Sequence, residues 1–107
     1  MKYVIRSGAR RDILRQYEYY LVEKDAGPAA ERFVAAANAA MEEICKHPGI
    51  GAPKRLSNPA LKGLRSLPVK GFPEIRIYYL VSAGAVRVVR VLHGKRDIGP
   101  LLEASGR

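Results

Sequence analysis

Arginine and tyrosine are the residue types here that could act on a phosphate. A guanidinium grips phosphate oxygens in a planar fork, and a phenol stacks on a base or passes a proton. Arg65, Arg76, Tyr78, Lys95 and Arg96 all fall in the second half of the chain. Together they could cleave RNA, one group activating the 2′-hydroxyl while others stabilise the charged phosphorane. His93 adds an acid–base group at the end of an apolar run, where a histidine more often makes a local hydrogen bond. For each of these residues the plain alternative is sheet-surface charge beside half-buried tyrosine.

Other chemistries find less support. Two histidines and one cysteine do not fall in metal-ligand spacing, so no metal and no cofactor are expected. No glycine-rich phosphate loop precedes a helix. Cys45 and His47 sit two residues apart on a helical stretch and point in different directions, which rules against a nucleophile pair. The ten acidic residues are scattered and form no carboxylate dyad. One thiol cannot make an internal disulfide, which suggests a reducing compartment. No apolar run could cross a bilayer, and Met1–Arg6 reads as a strand and not as a signal core. A cytoplasmic protein with no membrane partner is expected.

These residues need elements to position them. Lys2–Ser7 alternates and reads as a strand, with Ser7 placed to cap the helix that follows. From Ala9 to Lys24, Ile13, Leu14, Tyr17, Tyr20 and Leu21 fall at helical spacing and predict one buried stripe. Arg11, Arg15 and Glu18 take the other faces. Gly27 and Pro28 stop one helix and start the next. The second helix spans about Pro28 to His47, with Phe33, Ala37, Ala40 and Ile44 inward. Its many alanines permit close approach, and the short turn predicts an antiparallel helical hairpin. Residues 49–59 read as an irregular basic connection. Leu64–Val69 is a strand weakened by Pro68.

Glu74–Val81 and Val86–Leu92 then form a hairpin. Ile75, Ile77, Tyr79 and Val81 share its core face, and Arg76, Tyr78 and Leu80 the other. Both alternation sets of the last strand contain an arginine, Arg87 in one and Arg90 in the other, so its facing stays open. The order β-α-α-β-β-β gives a two-layer α+β fold in one domain, residues 1–107. A helical hairpin packs on a mainly antiparallel four-stranded sheet. The opposite sheet face is expected to be open and basic.

The net charge of +9 is uneven. Residues 1–50 hold eight Lys/Arg against seven Asp/Glu, and residues 51–107 hold eleven against three. A basic half points to a polyanion or an acidic protein as partner. Tyr17, Tyr20 and Leu21 could line an apolar groove beside the helical hairpin.

The strand, the helical hairpin, Leu64-Arg65, Arg76–Tyr79 and the run Val91–Ile98 together resemble the RelE/ParE superfamily of bacterial toxins. The resemblance covers nearly the whole chain. It implies the compact α+β toxin fold, a cognate antitoxin wrapping the toxin, and a hetero-oligomeric complex. Two activities occur in the superfamily. RelE-like members cleave mRNA in the ribosome, which by resemblance would use Arg65, Arg76 and Arg96. ParE-like members inhibit DNA gyrase. Here the second basic site of the middle strand is Leu67, and the tyrosine position of the tail falls near Leu102. The wording His93–Ile98 is ParE-like. The resemblance therefore implies a gyrase inhibitor of plasmid-stabilisation type, without turnover chemistry, in which Arg65, Arg76, Tyr78, His93, Lys95 and Arg96 are candidates for contacting the target. Tyr17, Tyr20 and Leu21 are candidates for the antitoxin. The alternatives are a ribosome-dependent endoribonuclease and a non-toxic member that retains antitoxin binding.

Overall fold

A computed structural model describes residues 1–94 and 98–105. Strand β1 (Lys2–Ile5) leads into helix α1 (Ser7–Glu18), one π-helical turn (Tyr19–Glu23) and helix α2 (Gly27–Lys46). Strands β2 (Ala52–Pro53), β3 (Arg65–Val69), β4 (Phe72–Ser82) and β5 (Ala85–His93) follow, and a short helix α3 (Gly99–Glu103) closes the chain. The sheet order is β1-β5-β4-β3-β2, with β1 parallel to β5 and the other pairs antiparallel. The expected α+β layering is present, with one strand more than expected. The addition is the two-residue β2, inside the segment read as irregular. Two residues carry no periodicity for a sequence reading to detect. Among the described residues no helix is long and apolar enough to cross a membrane.

Helix α2 buries Ala30, Phe33, Ala37, Met41 and Ile44. Their spacing of three or four residues lays one stripe along the helix. Phe33 meets Tyr20 and Phe72 at ring-centroid distances of 5.9 and 5.5 Å. Helix α1 departs from expectation in two ways. Ser7 is its first helical residue, the cap position is Arg6, and no side chain caps it. Its inward line runs through Ala9 and Asp12, with Ile13 and Tyr20 packed against the core as expected, while Leu14 and Leu21 are exposed. Asp12 decides that rotation. Its carboxylate accepts Arg90 Nε and Nη2 at 2.7 and 2.9 Å and the Val91 N–H at 3.0 Å. A buried charge with three donors is stable where an unpaired one is not. The turn after the π segment puts its left-handed residue at Asp25 (φ 44°) and not at Gly27, which begins α2.

The sheet carries apolar residues on both faces. Ile75, Ile77, Tyr79, Val86, Val88 and Val91 pack under the helices. Tyr78, Leu80, Val89 and Leu92 pack on the other side with Leu61, Leu64 and Leu102. The second face is therefore covered, by the segment before β3 and by α3, and is not open as expected. The free edge of the alternation in β4 also departs, since Val81 is exposed.

Strand β5 explains its own ambiguity. Tyr78 pairs with Arg90 and Tyr79 with Val88, leaving Val89 as an extra residue. This β-bulge keeps Val89 and Arg90 on one face and reverses the alternation on either side of it. Arg87 and Arg90 share the second face because of it.

Candidate functional site

Among the described residues, Arg76 and Tyr78 share one sheet face and Arg65 lies on the other. Directly paired residues on neighbouring strands share a face. Arg65 pairs with Tyr79, on the helical side, and Arg76 faces Pro68 and Leu92, on the other. The sheet lies between the two guanidinium groups.

Each guanidinium is engaged locally. Arg65 Nη1 donates to the Gly51 carbonyl at 2.8 Å and to the Gly49 carbonyl at 3.4 Å. Tyr79 completes the same clasp, donating its hydroxyl to the Pro48 carbonyl at 2.7 Å and accepting the Gly51 N–H at 2.9 Å. A Cβ at Gly51 would meet that hydroxyl oxygen at 2.6 Å, so the position requires glycine. Arg65 and Tyr79 together fix the loop that leaves α2. Arg76 Nε donates to Ser66 Oγ at 3.1 Å and Nη2 to the Ser66 carbonyl at 3.4 Å, and its side chain keeps part of its surface in solvent.

Tyr78 is buried, with 2% of its surface accessible. Its burial pushes the phenol above its ordinary range, with the nearby Arg76 charge pulling the other way. Burial also raises Tyr79, opposed by the Gly51 hydrogen bond and by Arg65. Neither ring is available to a partner while the covering segments stay in place. His93 sits partly exposed at the end of β5, paired with Ile75. Lys95 and Arg96 lie outside the described residues. Among the described residues no group of three His, Cys, Asp or Glu gathers in a metal-binding arrangement.

The family model described as the ParE toxin of the type II toxin–antitoxin system parDE matches residues 3–98. This chain belongs to the ParE toxin family. Its fold is similar to a chain of the solved structure titled "Chromosomal ParDE TA system from P. aeruginosa", with a TM-score of 0.70 at 16% identity. That likeness covers 87% of this chain and 95% of the other. No curated protein matches the sequence.

In this ParE-family chain the antitoxin candidates differ in character. Tyr20 packs half-buried against Phe33 and Phe72, and burial raises its phenol pKa. Tyr17 donates to Glu31 Oε1 at 3.0 Å, tying α1 to α2, and that hydrogen bond raises its pKa. Leu21 is exposed, as are Leu14 and Val22 nearby. The exposed large hydrophobic residues of the hairpin are therefore Leu14, Tyr19, Leu21 and Val22, with Tyr17 half-buried among them. Sequence reasoning passed over Arg90, the one arginine of the described ParE fold seated in a carboxylate fork. Its signal was the arginine in each alternation set of β5.

Proposed function

We propose that this chain is the toxin of a type II toxin–antitoxin pair, that it inhibits DNA gyrase by binding without turnover, and that a cognate antitoxin neutralises it in the cytoplasm. Membership of the ParE family supports the toxin reading. The separation of Arg65 and Arg76 onto opposite sheet faces carries the choice of target. A ribonuclease needs its groups within reach of one phosphate, and these two lie on either side of the sheet. Leu67 brings no titratable group, and Leu102 is buried in the apolar cluster. Of the candidates for contacting the target, Tyr78 is set aside because it is buried, and Arg65, Arg76, His93, Lys95 and Arg96 are the residues proposed for that role.

The deciding experiment adds antitoxin-free protein to gyrase and scores supercoiling and trapped cleaved DNA together. Inhibition with trapped cleavage is expected. Normal supercoiling at saturating protein would end the gyrase reading. Programmed ribosomes with wild type and Arg76→Ala would then test mRNA cleavage. Absence of growth arrest on expression alone would point to a member that has lost toxicity.

A further inference from the structure

Residues 54–64 form a loop that closes on itself. The Lys54 N–H donates to the Leu64 carbonyl at 2.8 Å and joins the two ends. Inside the loop, Asn58 Oδ1 accepts the Ala60 N–H at 3.0 Å and starts the short 3₁₀ turn Pro59–Leu61. Leu61 and Leu64 are buried against Tyr78 on the sheet, and Leu56 packs partly against them. Glu103 clamps the outside, its Oε1 accepting the Ser57 N–H at 2.8 Å and its carbonyl accepting Asn58 Nδ2 at 2.7 Å. A loop with joined ends and its own apolar plug holds its surface side chains in place, and such loops are frequently functional.

The charge of that loop is all positive. Lys54, Arg55 and Lys62 line one hollow of about 540 Å³, and no Asp or Glu lines it. Arg55 and Lys62 are exposed, and Lys54 is half-buried. Among the described residues, none of the three has a carboxylate within ion-pair distance. Glu103 turns its carboxylate to Ser57 and leaves the hollow positive. Leucines and prolines form much of the remaining wall. Low-dielectric walls around charges of one sign concentrate their field.

We propose that this loop grips the phosphate backbone of duplex DNA without regard to sequence. Leu61 and Leu64 are turned inward, so the loop offers a partner charge and little apolar anchorage. A protein partner draws most of its affinity from large side chains seated in pockets, whereas phosphates need only cations. No aromatic side chain lines the hollow to stack on an unpaired base, which argues for a duplex over a single strand. The loop stands on the sheet face that carries Arg76, one of the residues proposed to contact gyrase. The DNA is therefore the segment that gyrase cleaves, an identification that rests on the gyrase reading above. Holding that segment against the enzyme delays its resealing.

The test uses the full chain, freed of antitoxin, and a short fluorescent duplex of mixed sequence, with binding read by anisotropy from about 50 to 200 mM salt. Wild type should bind, and the logarithm of its affinity should fall linearly with the logarithm of salt. Arg55→Ala with Lys62→Ala should bind about tenfold more weakly at low salt, with a slope shallower by about 1.8, the share of two phosphates. Arg32→Ala with Lys46→Ala removes the same charge from exposed positions on α2 and should leave both values near wild type. No duplex binding by wild type, or equal losses in the two double variants, overturns the site. A polyglutamate that competes as well as unlabelled duplex would mark an acidic-protein site and overturn it too, as would a single strand bound more tightly than the duplex. Should the Arg55, Lys62 variant lose the wild-type circular dichroism, Arg55→Gln with Lys62→Gln decides by the same slope.

Trapped cleavage by gyrase is then compared for wild type and the Arg55→Ala, Lys62→Ala chain. The variant should trap about tenfold less cleaved DNA at equal concentration, following its loss of duplex affinity. Undiminished trapping by a variant that no longer binds duplex overturns the assignment to gyrase-held DNA while leaving the gyrase reading intact. A wild-type chain that traps no DNA removes the gyrase reading, and the named source falls with it, while the duplex slopes decide the loop.

Discussion

Asp12 and Tyr79 show how much single polar groups fix here. Asp12 joins α1 to β5 across 78 residues of sequence, in a bidentate ion pair with Arg90 and a bond to a backbone N–H. Removing one partner of a buried pair leaves the other charge uncompensated. Asp12→Ala should therefore cost roughly 3 kcal/mol, near the low end for such sites because Arg90 keeps some solvent. Adding Arg90→Met should recover part of that loss, and urea midpoints of the two variants check it. No recovery would mean that the Val91 N–H, and not the charge, carries the cost. Tyr78 and Tyr79 make a pH prediction. Both phenols are held above 10.0 by burial, so the native state keeps protons that the unfolded state releases. Stability should be fully present below pH 10.0 and fall as pH rises through the native values. Urea midpoints across that range check it, and the fall should be shallower in Tyr79→Phe. The facing of Tyr79 was legible from simple alternation. Asp12 was not, because an acid on a helix reads as surface until its distant partner is known.

At the scale of elements, periodicity located every long segment and placed part of the α1 stripe: Ile13 and Tyr20 pack against the core, and Leu14 and Leu21 do not. The full stripe Ile13, Leu14, Tyr17, Tyr20 and Leu21 fits helical spacing as well as the observed inward line does, and Asp12 breaks the tie. The π turn then shifts the frame again, carrying Tyr20 onto Phe33 and Phe72. Leu14→Glu and Leu21→Glu should change folding stability by no more than about 0.5 kcal/mol, as exposed substitutions do. The same pair should weaken antitoxin binding at least tenfold if the hairpin is its anchor, a common cost for truncating a buried interface residue. Thermal melts and calorimetric titration separate the two effects. The bulge in β5 was equally hidden, since an inserted residue leaves no mark except a broken alternation. The apolar cover of the second face was missed for a related reason. Leu56, Leu61, Leu64, Leu101 and Leu102 lie in short or irregular segments, where hydrophobic residues have no period to reveal a common destination.

For the whole molecule, charge was the most legible property, because counting needs no geometry. The basic second half should steer an acidic antitoxin by long-range attraction. Raising salt from about 50 to 300 mM should slow association by about tenfold with little change in dissociation, as stopped-flow mixing would read. An association rate indifferent to salt would remove the electrostatic part of partner recognition. The sheet order has a further consequence for how the chain acquires its shape during synthesis. Strand β5 sits between β1 and β4, so the first strand made gains its only neighbour from the last strand made. Until residues 85–93 emerge, β1 has no sheet to join, and the apolar stripe of the helical hairpin has only part of its bed. Assembly therefore depends on contacts distant in sequence, a topology that folds slowly and leaves apolar surface waiting. A nascent chain stalled before Ala85 would offer chaperones and proteases both helices and an unpaired strand. The poison would take form only once its last strand had left the ribosome.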